Sequence, residues 1–158
     1  MNKKWKISGL KYSKKLKSIS DKILSQRINF LIEVINRYLK KRDIENLHDV
    51  RIALRRVRYN LELFFVCYDE STFSKFYKKI EKLQDLSGEV RDLDVLLLNL
   101  DKLNSEGIEI QESLKNKIQE NRIKLENSLI ELLNNFKKGK TLKQFLNEIK
   151  LEGGENEN

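Results

Sequence analysis

The stretch HDVRIALRRVRYNLELFF, residues 48 to 65, gathers His48, Arg51, Arg55, Arg56 and Arg58, and His48 is the only histidine in the chain. A guanidinium is a planar fork that makes two parallel hydrogen bonds to a phosphate or carboxylate, which an ammonium cannot do. At about 100° per residue, Arg51, Arg55 and Arg58 fall within about 80° of His48 on one side, with Glu62 among them. Leu47, Val50, Leu54, Val57, Leu61, Phe64 and Phe65 occupy the adjacent arc, while Arg56 points elsewhere, near Ile52 and Tyr59. The stretch therefore predicts a helix with a packed face and, beside it, a cationic ridge of about two to three turns.

A basic helical face is most often simply solvated. Three features favour an anionic ligand here. The ridge uses arginine in a chain that elsewhere prefers lysine. Acidic partners at i,i+4 are scarce, since Glu62 can serve Arg58 but Arg51 and Arg55 have none at that spacing. His48 is expected near the positive end of its helix, where free N–H groups and the macrodipole favour an anion. With no second histidine and no cysteine cluster, zinc is not expected. No motif sets a serine or cysteine nucleophile beside the imidazole, so His48 reads as an anion-contacting donor rather than a base.

The elements that must carry this ridge are helical. The 158 residues suit one domain with a real core, with 39% hydrophobic and 35% charged residues and no proline. Apolar residues recur every three or four positions, and no clean alternation runs far enough for a strand, which predicts an all-α protein. The net charge of +8 attracts polyanions such as nucleic acid, polyphosphate or acidic surfaces. Cys67 is the one cysteine, so no disulfide can form within the chain, and its apolar neighbours predict a core thiol. No apolar run approaches the roughly 18 residues that would span a bilayer. The first residues carry lysines but no apolar segment or cleavage site, which leads to the expectation of a cytoplasmic protein.

Along the chain, residues 1–17 hold seven lysines and no acid and read as a basic arm. A helical domain is expected over 18–150 and a frayed tail over 151–158. The first helix should run from Ser18 to Arg42, with Ile23, Phe30, Leu31, Val34, Ile35, Tyr38 and Leu39 inward. Asp43 or Asn46 should cap the second, which ends near Val66. The third should start after a cap at Ser71 or Thr72, run from Phe73 to Leu103, and kink or pack closely at Gly88. The fourth is expected over Glu109 to Phe136, with Leu114, Ile118, Leu125, Leu129, Leu132, Leu133 and Phe136 inward. Thr141 should cap a short last helix. Four long helices joined by short connections, plus that short C-terminal one, make an antiparallel bundle.

The stretch LHDVRIALRRVRYNLELFF resembles the signature of CHAD domains, the conserved-histidine α-helical domains, with its pattern H-x-x-R-x-x-x-R-R-x-R. LQDLSGEVRDLDVLL is similar to the family's second signature, a glycine followed by Arg-Asp-x-Asp-Val. Together they cover residues 43 to 98. The resemblance implies a helical bundle whose basic surface binds inorganic polyphosphate without catalysis. It makes His48, Arg51, Arg55, Arg56 and Arg58 candidate ligands, with Arg91 a weaker one, and casts Asp92 and Asp94 as residues that orient arginines or packing. It also brings to mind a CYTH-type triphosphatase as a separate partner, and a location on polyphosphate granules. The usual CHAD domain has two related halves, each with a histidine motif. Here there is one motif and no internal repeat, so the chain matches one half, and no Glu-x-Glu-x-Lys triphosphatase motif is present.

Polyphosphate binding is therefore the expected function, with no cofactor and no metal. Lys75, Lys78, Lys79 and Lys82, which cluster within about 100° on the third helix, extend the cationic surface. Nucleic acid is the second reading, because it would use the same phosphate contacts. Against it, Tyr59 is the lone aromatic bordering the ridge, and base stacking needs a series. A phosphoanhydride enzyme would need paired carboxylates for Mg²⁺, and Asp92 and Asp94, two apart, face different ways on a helix. A homodimer is also expected, its second copy standing in for the missing half and its contact supplied by apolar surface outside the mutually repelling ridges.

Overall fold

The computed structural model describes residues 13–151, with the side chains of 150 and 151 excepted, so the basic arm up to residue 12 and the tail from 152 lie outside the described residues. Five α-helices follow one another: α1 (Lys14–Lys40), α2 (Ile44–Phe64), α3 (Glu70–Ser105), α4 (Glu112–Lys138) and α5 (Lys140–Leu151). A 3-10 turn, Phe65–Cys67, links α2 to α3, and no strand occurs among the described residues. The all-α bundle is as expected.

The ends of the helices show where local chemistry was misjudged. α1 begins four residues before the expected Ser18, capped by the Ser13 hydroxyl, which accepts from the Leu16 amide at 3.1 Å. Its Lys17 is no arm residue but is buried, with its ammonium 2.8 Å from Asp21 one turn on. Tyr68 donates to the same carboxylate at 2.8 Å and shares a short hydrogen bond with Ser20, tying α1 to the α2–α3 corner. Asp43 caps α2, accepting from the Asn46 amide at 2.8 Å. α3 is capped by Asp69, which accepts from the Thr72 amide, rather than by Ser71 or Thr72. Thr141 lies inside α5, not at its cap, because the turn is made at Gly139, where a Cβ would stand 2.9 Å from the Asn135 carbonyl oxygen. α3 continues unbroken through Gly88, and no close helix approach is made there, since a Cβ would meet nothing within 4 Å. Gly107, with φ of 88°, ends the α3 region in the left-handed conformation glycine tolerates best.

The core runs through all five helices and is centred on Leu24, Ile28, Leu31 and Ile35 of α1, Leu54 and Leu61 of α2, and Phe76 and Ile80 of α3. Phe76 stacks on Phe145 of α5 at 4.3 Å. Cys67 is buried, as expected. Phe30, expected inward, is exposed, and Leu24 and Ile28 take that stripe of α1 instead. Leu114 is exposed too, because it lies on a part of α4 that runs beyond the core. A buried polar chain pins α1, α3 and α4 together. Tyr38 donates to Glu126 at 2.8 Å, and Arg122 reaches both Glu126 at 2.6 Å and Asp94 at 2.8 Å. Burial works against charge on the Arg122 guanidinium, but the two carboxylates outweigh it and raise its pKa. Asp94 thus orients an arginine, though the arginine is Arg122, outside both signature motifs.

Candidate anion-binding surface

α2 presents its ridge where it packs beside α3. Leu47, Val50, Leu54, Val57 and Leu61 are fully buried, which fixes the rotation of the helix and so the direction of every arginine on it. Arg51 and Arg55 line a cleft of about 300 Å³, whose other wall is Gln84, Asp85, Gly88, Glu89 and Asp92 of α3. Neither arginine takes part in a salt bridge among the described residues. Burial lowers the pKa of the Arg51 guanidinium, Asp92 opposes that, and Arg55 and Arg91 add to it by like-charge repulsion. Arg91 of α3 is half-buried, and its Nη1 is buried without a hydrogen-bond partner. Arg51, Arg55 and Arg91 thus form a cluster of like charge not closed by ion pairs.

Arg58 is different. Its Nε donates to Glu62 at 3.0 Å and to the Tyr77 hydroxyl at 3.0 Å, Tyr77 donates to Glu62 at 2.7 Å, and Glu81 lies 3.6 Å from Nη2. The i,i+4 pairing with Glu62 forms as its spacing predicts. Burial pushes the Tyr77 hydroxyl up to about 12, reinforced by Glu62. The guanidinium of Arg58 is therefore engaged in joining α2 to α3, whatever else it contacts. His48, Arg55 and Arg56 are exposed, and the helix periodicity sets His48 and Arg55 together on the outer side of α2, with Arg56 about 100° round the helix from Arg55.

Three aspects of this surface escape a linear reading. His48 lies in the second turn of α2, and the anion-favouring first turn already holds the chain's own carboxylates: Asp43 caps it and Glu45 follows. Asp85, Glu89 and Asp92 come from a separate helix to the opposite wall of the cleft. Their negative charge disfavours an anion deep in the cleft. Finally, the lysines of α3 acquire company. Lys75, Lys78, Lys79 and Lys82 are all exposed, and Lys79 and Lys82 border a second cleft of about 250 Å³ together with Lys140 of α5. Its floor is Leu83, Leu132 and Phe136. The signal for Lys140 was in the sequence, where Lys137, Lys138, Lys140 and Lys143 follow closely, but nothing linear connects them to α3.

A family model of the CHAD domain matches residues 22–153. The chain belongs to the CHAD domain family. No curated protein and no solved structure matches it. The match spans α2 and α3, which hold the two signatures, and also most of α1 and all of α4, where only length and apolar pattern pointed to the family. CHAD domains are generally binding domains without catalysis, related to polyphosphate. Among the described residues of this CHAD domain, no group of three or more His, Cys, Asp or Glu side chains could hold a metal, and no helix is long and apolar enough to cross a membrane.

Proposed function

We propose that this chain binds inorganic polyphosphate along the outer rim of α2, through Arg51 and Arg55 with His48 and Arg56 beside them and Arg91 behind. The observation that carries the reading is the Arg51–Arg55–Arg91 cluster. Burial and then the like charges of Arg55 and Arg91 disfavour the charged Arg51 guanidinium, with Asp92 opposing them, and among the described residues no carboxylate lies within salt-bridge distance of any of the three arginines. An anion supplied from outside offsets the positive charge of this cluster. A linear phosphate polymer suits a row of forks, because each guanidinium can take two oxygens. Lys75 and Lys78, exposed on α3, extend the positive field without fixing a geometry. Nucleic acid would use the same phosphate contacts, but Tyr59, 59% exposed, is the lone aromatic offered beside the ridge, so bases gain little.

Calorimetric titration with long-chain polyphosphate, repeated with single-stranded and duplex nucleic acid, tests the reading. Polyphosphate should bind more tightly per phosphate than either nucleic acid, and no phosphate should be released from polyphosphate, ATP or tripolyphosphate with Mg²⁺. Equal affinity for nucleic acid, or turnover lost on Asp92→Asn, would replace it. On the same reading, a CYTH-type triphosphatase is a partner that would act on the polymer held here.

A further inference from the structure

Past the main core, α3 and α4 continue as a two-helix hairpin. The fully buried core residues end at Val90 on α3 and begin at Leu129 on α4. The α1–α2 corner lies beside Leu97, Leu98 and Asp101 of α3 and Gln119 and Arg122 of α4 and partly covers that side of the hairpin, where Leu98 stays 52% exposed. On the other side, Leu96 is 40% exposed, Leu103 37% and Leu114 47%. Leu93 and Ile118 are half-buried and Leu100 is buried, but none of the three belongs to the core cluster. Leu93, Leu96, Leu100 and Leu103 repeat at intervals of three and four, the spacing of a helix-packing seam. A helical layer with an apolar stripe needs a second layer to bury it, and a patch of this kind marks an interaction surface.

The two ends of the face carry opposite charge. The tip, residues 104–112, holds Glu106, Glu109 and Glu112 and no base, with Glu106 lying 3.9 Å from the Lys102 ammonium one turn back in α3. At the inner end stand Lys79, Lys82 and Lys140 around their apolar-floored cleft. Residues 82 and 106 lie about 36 Å apart at 1.5 Å per residue, and their midpoint falls between Leu93 and Leu96, within the apolar stripe. A face that is acidic at one end, basic at the other and apolar between is complementary to its own copy turned end for end. Two helices about 9 Å apart and some 36 Å long present on the order of 600 Å², close to the roughly 800 Å² that each partner gives a standard interface.

We propose that a second copy of this chain covers the face. The two hairpins pack antiparallel about a two-fold axis near Leu93 into a four-helix bundle, and each acidic tip meets Lys79, Lys82 and Lys140 of the other copy. α2 and its ridge take no part, so the dimer forms without any polyanion and does not rest on the polyphosphate reading. Light scattering on the purified chain across a concentration series, without ligand, tests it. The expected result is a dimer that Leu96→Glu with Leu103→Glu converts to monomer, with helicity by circular dichroism unchanged because both positions are exposed. Glu106→Lys with Glu109→Lys should weaken the dimer about tenfold or more, and Lys79→Glu with Lys82→Glu likewise. Mixed one to one, these two charge-reversed chains should recover the lost affinity as a heterodimer, because both tip-to-base contacts then pair opposite charges. A monomer at every concentration, a dimer indifferent to the leucine changes, or no recovery on mixing would overturn the proposal.

Discussion

Replacing Arg51 and Arg55 together by alanine is the sharpest test of the ridge. Each hydrogen bond to a charged group contributes about 1.5–3 kcal/mol when the pair is shielded and less when water competes. Arg51, half-buried in the cleft wall, should sit within that range, near 2 kcal/mol, and exposed Arg55 below it, near 1 kcal/mol. The double variant should then lose about 3 kcal/mol, a factor of roughly 150 in Kd for polyphosphate. The salt dependence gives a second, independent number. Contact with about five phosphates gives a slope of log K on log[salt] near −3.5, and losing two contacts brings it to about −2.1. Isothermal titration between low and moderate salt reads both quantities on the same samples. Neither side chain belongs to the packed arc of α2, so thermal stability should change little. Lysine at both positions should restore the slope, because the charge returns, but only part of the affinity, because the fork does not. An unchanged slope in the alanine variant would refute the placement of the polymer on this ridge, and full rescue by lysine would show that a diffuse field suffices.

Other perturbations test the scaffold. Arg122→Ala strands Asp94 and Glu126 in the interior and should destabilise the bundle by about 3–5 kcal/mol in denaturant unfolding, with partial recovery on adding Asp94→Asn and Glu126→Gln. Gly88→Ala should raise stability by up to about 1 kcal/mol, since it lies inside α3 with open space at Cβ. Gly139→Ala should lower the melting temperature, because its Cβ meets the Asn135 carbonyl. Asp43 and Asp69 have pKa values lowered first by hydrogen bonds from the Asn46 and Thr72 amides, so their capping contribution is present above the ordinary carboxylate range and is lost as pH falls through the lowered folded values. The melting temperature of Asp43→Ala with Asp69→Ala should therefore lie below that of the native chain at neutral pH and converge with it in acid.

The helical fold and the ridge were legible in the sequence because both are periodic. Leu47, Val50, Leu54, Val57 and Leu61 recur at helical spacing, so the same count that buries them places Arg51 and Arg55 beside them, and the i,i+4 link from Arg58 to Glu62 follows from geometry within one helix. The start of α1 was missed because a lysine reads as exposed until its neutralising partner is known. Lys17 is buried only because Asp21 and the ring of Tyr68, which lies 47 residues beyond Asp21, surround it. Gly88 suggested a close helix approach because glycine often marks one, but where the other helices run is a tertiary matter, and here nothing lies within 4 Å of its Cβ position. What only the tertiary structure decided are the meetings between helices. Tyr77 and Glu81 engage Arg58, α3 carboxylates face Arg51 and Arg55, and Lys140 joins Lys79 and Lys82. The leucines beyond Val90 keep the periodicity of a core stripe, yet the shorter α2 leaves one side of them open. Periodicity tells which face of a helix is apolar, but what covers that face depends on where the other helices end.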